Sequence, residues 1–390
     1  MASKKEKDST EKQVSDKDFV ADLISDLNRE SQSRIAWNLD TDLSPTHIKR
    51  WISTGCTSLD YIISNRTNGG LPEGRVVEIF GPPSIGKSHL AIQIAKSAQK
   101  MNGVVVYIDT ENGSSPENLA SLGLDVSKKF IYVEPSYIEE VFKVMESVIT
   151  KVKATQKDTP VVIVWDSVAG TPPKAELEGD YTDNSIGLAA RQLGKGFRKI
   201  TQLIGNQNVL MVCLNQTRIK IGVMHGDPTT TSGGLALPFH ASVRIQLFGG
   251  SKILDEKTGE TIGINVKAKT IKNKVSAPHR EAEFELHFGK GLYDHEQLFD
   301  RIRQYCDENT VVDDDGTTYE MSGTAAWKTF LVKDKTGKVL FEKKFTKKNI
   351  REDVMQNKEC SKYFTTLLDK VFIKKHVAIE DEVSEVADVS

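Results

Sequence analysis

The sequence predicts an α/β protein with a mostly parallel central sheet covered by helices on both faces, a helix ahead of this core and a small α+β domain after it. Two observations carry this prediction. The first is a series of continuous apolar stretches that alternate with helical stretches, as in a buried parallel sheet; they lie at 75–80, 103–111, 160–167 and 208–216. The second is a glycine-rich loop that joins the first stretch to an amphipathic helix.

The glycine-rich segment 81–88, GPPSIGKS, fits the pattern G-x-x-x-x-G-K-[ST]. It lies between a strand and a helix, so backbone N–H groups and the helix start are expected to surround phosphate oxygens. We expect Lys87 to reach the β and γ phosphates of a nucleoside triphosphate, and the Ser88 hydroxyl to bind Mg²⁺. The alternative is a plain turn between two core elements. The predicted nucleotide-binding residues of this phosphate loop are Gly81, Pro82, Pro83, Ser84, Ile85, Gly86, Lys87 and Ser88.

Length and composition are those of an ordinary globular protein with room for two domains. The net charge is −2, so any contact with nucleic acid must come from a local patch. The four cysteines lie far apart with no CxxC pair, which argues against a disulfide framework or a zinc site. The sequence has neither an export signal nor an apolar run long enough to span a membrane, so we expect a cytoplasmic protein.

The segment ahead of the core has two parts. Residues 1–16 have almost nothing to bury, and we expect them to be disordered. From Asp18 onward the spacing predicts an amphipathic helix, which would dock on its own domain or on a neighbouring subunit. Its apolar face is formed by Phe19, Val20, Leu23, Ile24 and Leu27.

Further elements follow along the chain. A short strand is predicted at 130–135, and helices are predicted within 138–152 and 186–204. Alternating strands at 241–248, 264–274 and 280–288, with a DEKTGE turn, predict an antiparallel extension of the sheet. The later segments 298–305, 325–332 and 363–373 are of helical or strand type. The expected divisions are 1–50 (start, helix and linker), 51–292 (ATPase core), 293–377 (small C-terminal domain) and 378–390 (acidic, mobile tail).

Three polar residues follow predicted strands, where open α/β sheets bind their ligands. Asp166 ends an apolar strand and is expected to hold Mg²⁺ directly or through water. Glu111 could accept a proton from the attacking water or orient it, and Gln216 could hydrogen-bond the γ-phosphate. Each could instead be an ordinary polar residue at a strand end. Together with the phosphate loop, these residues predict a Mg²⁺-dependent ATPase.

Two long segments without apolar periodicity directly follow these strand ends, at 170–187 and 217–234. Loops of this length in a compact domain are usually functional or disordered. The second combines cations, apolar side chains and a run of Thr, Ser and Gly, which suits the phosphates and bases of single-stranded nucleic acid. A plain surface loop is the alternative.

An ordered set of motifs resembles the RecA family of DNA strand-exchange recombinases. The motifs are ISTGCTSLD, GPPSIGKS, PKAELEGD, GLAAR, NQTRIKIGVM, TTTSGG and KNKVSAP. The resemblance is nearly continuous over residues 51–292, faint in the N-terminal helix and weak in the C-terminal third.

The resemblance implies a RecA-like core that forms a right-handed helical filament on single-stranded DNA, with ATP between adjacent subunits, and exchanges strands with homologous double-stranded DNA. By motif, Lys87 and Ser88 would bind phosphate and Mg²⁺. Glu111 would activate water, and Asp166 would support the metal ion. Gln216 would couple the γ-phosphate to the second DNA loop.

The resemblance also implies contacts across the subunit boundary. Lys272 and Lys274, in KNKVSAP, would reach the neighbouring subunit's ATP as an arginine finger does. A K-x-K pair on a strand places both side chains on one face, although a solvated strand face would look the same. Phe239 matches an aromatic contact at the interface. Ser167 falls where the family has a non-proline cis peptide bond.

The implied DNA contacts come from a first loop at 178–187, a second loop at 217–234 and the helix between them. Arg191 and Arg198 match positions near the DNA backbone. The DNA-binding residues implied in this way are Glu178, Gly179, Asp180, Tyr181, Ser185, Ile186, Gly187, Arg191, Arg198, Arg218, Lys220, Ile221, Gly222, Val223, Met224, His225, Thr230, Thr231, Ser232, Gly233 and Gly234.

Several positions depart from the family pattern. Ser115 and Asn118 stand where an Asp and a base-stacking Tyr are usual, so nucleotide selectivity is open. His225 replaces an aromatic residue, Thr229 a Glu, and Pro238 a Lys that commonly bridges subunits. These changes suggest a distant member of the family, of the kind that a phage encodes. Two other functions compete, a ring helicase or translocase with the same fold and a filament mediator that binds ATP without hydrolysing it.

Overall fold

The fold is described from a computed structural model. The described residues are 16–42, 46–111, 113–180, 187–219, 229–324, 326–346 and 349–374. The chain divides into two compact units, one that ends at His47 and one that begins at Ile48.

The first unit contains helix α1 (Asp16–Glu30), which confirms the predicted N-terminal helix. Asn28 fixes the turn that follows the helix. Its side-chain oxygen accepts hydrogen bonds from the backbone N–H groups of Ile35 and Ala36 at 2.7 and 2.9 Å. Its amide nitrogen donates to the Ala36 carbonyl at 3.0 Å. The side chain therefore satisfies backbone groups of the segment beyond the helix end, and it ties that segment to the last turn of α1.

The second unit is built on strands and helices whose bounds are as follows. The strands are β1 (Trp51–Ile52), β2 (Leu71–Pro72), β3 (Val76–Gly81), β4 (Val104–Asp109), β5 (Phe130–Val133), β6 (Val161–Asp166), β7 (Val209–Ile219), β8 (Thr229–Thr231), β9 (Val243–Leu254), β10 (Thr261–Asn273), β11 (Glu281–His287), β12 (Gly291–Tyr293), β13 (Val311–Val312), β14 (Thr318–Gly323), β15 (Lys328–Lys333) and β16 (Val339–Phe345). The helices are α2 (Thr57–Ser64), α3 (Lys87–Lys100), α4 (Pro116–Ser121), α5 (Ile138–Thr155), α6 (Lys174–Glu178), α7 (Leu188–Gln207), α8 (Ala236–His240), α9 (His295–Glu308) and α10 (Lys358–Phe372).

The central sheet has the order β12-β11-β10-β9-β3-β7-β6-β4-β5. From β9 to β5 all neighbouring strands are parallel, whereas β9 to β12 pair antiparallel. All residues of β3, β4 and β6 are buried, because helices cover both faces. Strands buried on both sides need apolar side chains in both directions, which is why they read as continuous apolar runs. The predicted parallel sheet with an antiparallel extension is confirmed.

Each face of the sheet has its own hydrophobic core. One face packs α2 and α3, with residues such as Ile62, Leu90 and Ile94, against the sheet. The other face packs α5 and α7, where Phe142 meets Trp165 and Phe197 edge-on at 5.7 and 5.4 Å between ring centroids. Gly196 permits this approach of the two helices, because a Cβ there would lie 2.1 Å from Phe142 Cε2.

The C-terminal part is an antiparallel sheet of four strands in the order β13-β14-β15-β16, with α9 and α10 packed against it. It shares a core with the rest of the second unit: the Tyr61 hydroxyl donates to Asp369 at 2.7 Å, and the Tyr61 and Phe372 rings stack at 5.2 Å. Of the ambiguous segments, 298–305 and 363–372 are helical and 328–332 is a strand. Among the described helices none combines the length and apolar character of a membrane span.

Two expectations for the core need correction. The predicted second loop is not a loop throughout, since 217–219 extends β7 and pairs antiparallel with β8 at 229–231. β-Branched threonines in β8 favour this pairing. The two lysines of KNKVSAP do not both lie within a strand: Lys272 belongs to β10, whereas Lys274 follows its last residue. The Lys274 N–H still donates to the Ser242 carbonyl at 2.9 Å.

Candidate nucleotide and DNA site

Four predicted functional groups lie at or near the carboxyl ends of the parallel segments of four neighbouring strands, β3, β7, β6 and β4. Gly81 ends β3 and is in register with Gln216 on β7. Asp166 ends β6 and is in register with Asp109 at the end of β4, two residues before Glu111. Because these strands are parallel, the groups gather at one edge, the position at which open α/β sheets bind ligands.

The phosphate loop is a tight turn between β3 and α3. The backbone has positive φ at Ser84 (58°) and Gly86 (95°), a conformation that turns N–H groups towards a common centre. A Cβ on Gly86 would lie 2.3 Å from Leu286 Cδ1, and one on Gly81 would lie 2.7 Å from the Leu247 carbonyl oxygen. Gly86, the residue before α3, makes no side-chain cap. The first N–H groups of α3 therefore remain available to an anion.

Lys87, the first residue of α3, folds back over this loop. Its ammonium donates to the Pro82 carbonyl at 2.7 Å and to the Gly81 carbonyl at 3.2 Å. Burial lowers the pKa of Lys87, and the negative charges of Asp166 and Glu111 oppose this shift. The ammonium therefore lies where it could exchange loop carbonyls for phosphate oxygens.

Asp166 lies beside the loop and is buried. The Tyr107 hydroxyl donates to Asp166 Oδ2 at 2.7 Å, and the Ser88 hydroxyl also bonds this carboxylate. Burial raises the pKa of Asp166, and these two hydrogen bonds oppose the rise. The oxygens of Ser88 and Asp166 suit Mg²⁺, which usually takes one or two protein ligands and completes its shell with water and phosphate oxygens. In the described residues no larger cluster of acidic, His or Cys side chains offers a complete metal cage.

Glu111 is exposed at the next strand end and has two polar partners. The Ser167 hydroxyl donates to Glu111 Oε1, and the Gln216 amide donates to the same oxygen at 3.3 Å. The peptide bond between Asp166 and Ser167 is cis, which confirms the expectation drawn from the resemblance. The structure thus brings three predicted groups to one edge of the sheet: the candidate base Glu111, the candidate γ-phosphate sensor Gln216 and the candidate metal ligand Asp166.

The two departures near Glu111 have a local structural role. Ser115 is the N-cap of α4, and its hydroxyl accepts a hydrogen bond from the Asn118 N–H at 3.1 Å. Pro116 occupies the first turn of this helix. Ser at the N-cap followed by Pro is a favoured helix start, so this pair defines a short helix next to the site.

The base of the predicted second DNA loop holds residues that the sequence did not single out. Asn215, beside Gln216, is completely buried and donates to Glu78 Oε1 at 3.0 Å and to the Ser232 carbonyl at 3.1 Å. Arg244 Nε donates to Glu78 Oε2 at 2.5 Å. The one signal in the sequence was the acid at position 78 within an otherwise apolar strand.

The predicted DNA-binding residues are only partly described. Arg191 and Arg198 are exposed on α7, and Gly187 precedes this helix with a φ of 75°. Gly233 and Gly234 lie close to α7, because a Cβ on them would meet Leu193 or Ala190 within 3 Å. Also described are Glu178, Gly179, Asp180, Arg218, Thr230, Thr231 and Ser232. Outside the described residues are Tyr181, Ser185, Ile186, Lys220, Ile221, Gly222, Val223, Met224 and His225.

The two lysines expected to act in trans lie near α8. Lys272 Nζ donates to the carbonyl oxygens of Pro238 and Phe239, both at 2.8 Å. Burial lowers the pKa of Lys272, and the positive charges of Lys274 and Arg244 lower it further. Phe239, the expected interface aromatic, is 73% exposed.

A strand, a phosphate loop and a helix, with acids at the ends of neighbouring parallel strands, define a P-loop nucleotide-binding protein. The model of the RecA N-terminal domain matches residues 38–293. The chain is 40% identical over 275 residues to Protein RecA of Sulfurimonas denitrificans, covering 70% of this chain and 75% of the relative. It is 40% identical over 272 residues to Protein RecA of Laribacter hongkongensis, covering 70% and 72%.

The chain therefore belongs to the RecA family, as the resemblance indicated, and is a recombinase. Membership of this family implies a DNA-dependent ATPase. The family match ends at residue 293, just before α9, so the four-stranded C-terminal sheet lies beyond it.

Proposed function

We propose that this recombinase hydrolyses ATP with Mg²⁺ at the phosphate loop in response to single-stranded DNA. In this proposal it forms a helical filament on that strand and pairs the strand with homologous double-stranded DNA. The observation that carries the proposal is the hydrogen bond from Gln216 to Glu111, since Gln216 lies on the strand that continues into the second DNA loop.

The residues of the nucleotide site have distinct roles in this proposal. Lys87 and the N–H groups at the start of α3 bind the phosphates, and Ser88 and Asp166 hold the metal ion. When bound, Mg²⁺ neutralises phosphate charge and orients the oxygens for in-line attack. Glu111 orients a water molecule and accepts its proton at the carboxylate, while the Ser167 hydroxyl and the Gln216 amide hold that carboxylate in place.

DNA and the neighbouring subunit complete the proposed site. The exposed cations Arg191 and Arg198 contact the DNA backbone, and the second loop binds the bases. Lys272 and Lys274 supply positive charge to the ATP of the next subunit. The helix in the segment 1–50 docks on a neighbouring subunit, the core is 51–292, and 293–377 with the tail 378–390 completes the chain.

The test is the rate of ATP hydrolysis with and without single-stranded DNA, followed by electron microscopy of the same sample. We expect a rate that depends on Mg²⁺ and rises at least about tenfold with DNA, together with helical filaments, since allosteric coupling of 1–3 kcal/mol spans this range. Closed rings would instead favour a helicase or translocase. Filaments without ATP turnover would favour a mediator, and an absence of homologous strand exchange would contradict the recombinase proposal.

A further inference from the structure

The buried side-chain amide of Asn215 makes three hydrogen bonds, each to a different residue. Its two N–H groups donate to Glu78 on β3 and to the carbonyl of Ser232, just after β8. Its side-chain oxygen accepts the backbone N–H of Gln216 at 2.9 Å. One side chain thus connects the candidate γ-phosphate sensor, the far end of the second DNA loop and a buried carboxylate in the central sheet.

The carboxylate is held rigidly. Glu78 is completely buried and pairs with Arg244 across β3 and β9, and the Arg244 guanidinium lies 4.7 Å from the centroid of the Phe80 ring. A charge in the interior of a sheet is costly unless it is fully paired, and an apolar side chain would serve packing at least as well. The pair gives Asn215 a fixed acceptor on a strand that leads directly into the phosphate loop.

Ser232 is fixed to β7 by three hydrogen bonds. Asn215 donates to its carbonyl, its own N–H donates to the Gln216 carbonyl at 3.4 Å, and Arg218 Nε donates to its hydroxyl at 3.1 Å. With the β7–β8 ladder, these bonds bring the two ends of the second DNA loop together at the base of the nucleotide site.

We propose that Asn215 is a positioning residue that couples the nucleotide state to DNA affinity. When the γ-phosphate is lost, Gln216 is displaced, and its backbone N–H moves the Asn215 side-chain oxygen to which it is hydrogen-bonded. Glu78 anchors the amide nitrogen of Asn215. The displacement is therefore transmitted through the second bond of that nitrogen to the Ser232 carbonyl, at the far end of the DNA loop. Asn215 touches neither nucleotide nor DNA, and its role depends on the proposed function.

The test compares DNA affinity in two nucleotide states. Fluorescence anisotropy of a labelled oligonucleotide gives Kd with a non-hydrolysable ATP analogue and with ADP, and the ratio of the two measures the coupling. For wild type we expect a ratio of at least about 10. In Asn215→Asp, which loses both donors, we expect the ratio to fall to within about twofold of one.

The controls separate coupling from folding. Asn208→Asp changes the same residue type beside the opposite end of β7, and the ratio should stay at the wild-type value. In Asn215→Ser the side chain is too short to bridge the same partners, and it adds no buried charge. This variant replaces Asn215→Asp in the test if the aspartate variant does not fold. Circular dichroism and nucleotide binding check the integrity of each variant.

The outcomes are distinguishable. A merely structural role for Asn215 would weaken DNA binding equally in both nucleotide states and leave the ratio unchanged, which would overturn the coupling role alone. A wild-type ratio near one would overturn the proposed function as well. Loss of the ratio in the Asn215 variants, with the Asn208 variant intact, supports the inference.

Discussion

Lys272 Nζ lies 2.8 Å from the carbonyl oxygen of Phe239 and donates a hydrogen bond to it. A second bond of the same length goes to the neighbouring carbonyl of Pro238. An ammonium has three donors, so two of them serve α8 of its own chain. If Lys272 acts on the ATP of an adjacent subunit, it must exchange these carbonyls for phosphate oxygens, and the short helix that carries the exposed Phe239 would then no longer be held by Lys272.

Mixing two inactive variants tests whether Lys272 acts in trans. Lys272→Ala keeps its own phosphate loop, whereas Lys87→Arg keeps Lys272 but lacks the compact ammonium that the loop carbonyls hold. Each variant alone should hydrolyse ATP poorly on single-stranded DNA. In a one-to-one mixture about a quarter of the head-to-tail interfaces pair an intact loop with an intact lysine, so activity should return.

The measurement is steady-state ATP hydrolysis by the mixture relative to each variant alone. Lys290→Ala, at a turn after β11, serves as the control for loss of a lysine and should retain wild-type activity when unmixed. If the mixture is no more active than the sum of its parts, Lys272 does not complete a neighbour's site.

Glu111→Gln should reduce ATP turnover while ATP and DNA still bind. The amide cannot take a proton from water, and general-base catalysis typically contributes about 10²–10⁴-fold to rate. The measurement is kcat on single-stranded DNA beside nucleotide affinity. Glu117→Gln, an exposed change of the same kind on α4, should leave kcat unaltered. Turnover of E111Q at the wild-type rate would remove Glu111 from the mechanism.

Tyr107→Phe should move the acid limb of the pH–rate profile to higher pH. Burial already raises the pKa of Asp166, and the Tyr107 hydroxyl opposes this rise by donating to the carboxylate at 2.7 Å. Without the hydroxyl the pKa of Asp166 rises further, so the carboxylate is protonated, and lost as a metal partner, at a higher pH. The concentration of Mg²⁺ needed for half-maximal rate should rise as well.

Tyr132→Phe is the matched control for this pH effect. Its hydroxyl donates to Asp109 at 2.9 Å and stands on the neighbouring strand, with its ring stacked at 6.4 Å from that of Tyr107. The variant loses an equivalent hydroxyl without touching Asp166. If the pH–rate profiles of Y107F and Y132F shift equally, the shift arises from a general loss of packing in the sheet and not from the pKa of Asp166.

The parallel core and its strand-end residues could be predicted because buried strands and a phosphate loop leave local signals. The Glu78–Arg244 pair could not, since its members are 166 positions apart and only the pairing of β3 with β9 brings them together. Asn215 resembled any polar residue at a strand end, because its partners Glu78 and Ser232 are also distant in the sequence. A residue whose partners are all distant in sequence carries no local pattern.

The C-terminal segments were ambiguous for a different reason. These short runs of mixed residues fit a helical or a strand period equally well, so packing decides. In β15, Phe330 and Val332 face the core and Thr329 and Leu331 do not, an alternation that becomes visible only once β14 and β16 pair with it. The pairing of β7 with β8 at the base of the predicted second DNA loop was not predicted, because the three threonines of β8 resemble a polar loop.

Arg191→Ala should lower the salt dependence of DNA binding. Arg191 and Arg198 are exposed on one face of α7 with Lys195 between them, a stripe that suits a phosphate backbone. For each phosphate of single-stranded DNA that is no longer neutralised, the slope of log K against log salt should fall by about 0.7 in magnitude. Lys199→Ala is the control, because Lys199 pairs with Glu146 at 2.7 Å. An unchanged slope in R191A would place the DNA elsewhere.

Asp60→Asn should remove a pH dependence from the stability of the protein. Asp60 is buried and accepts hydrogen bonds from Ser53 and Thr54, and burial raises its pKa to about 7. The folded state therefore binds more protons than the unfolded chain between about pH 4 and 7, so the free energy of unfolding falls as pH rises through this window.

Over the whole window this contribution is of order 4 kcal/mol, since one pKa unit corresponds to about 1.4 kcal/mol. Urea unfolding of wild type and D60N at pH 5 and pH 8, without DNA, measures the part of this contribution that lies above pH 5, about 3 kcal/mol. Asparagine keeps one oxygen acceptor for Thr54 and carries no charge to bury, so the variant should gain stability relative to wild type as the pH rises. The exposed Asp22→Asn should follow wild type at both pH values. If D60N and wild type lose the same stability between pH 5 and 8, the Asp60 carboxyl is ionised in the folded protein at both pH values, and the buried hydrogen bonds outweigh its desolvation.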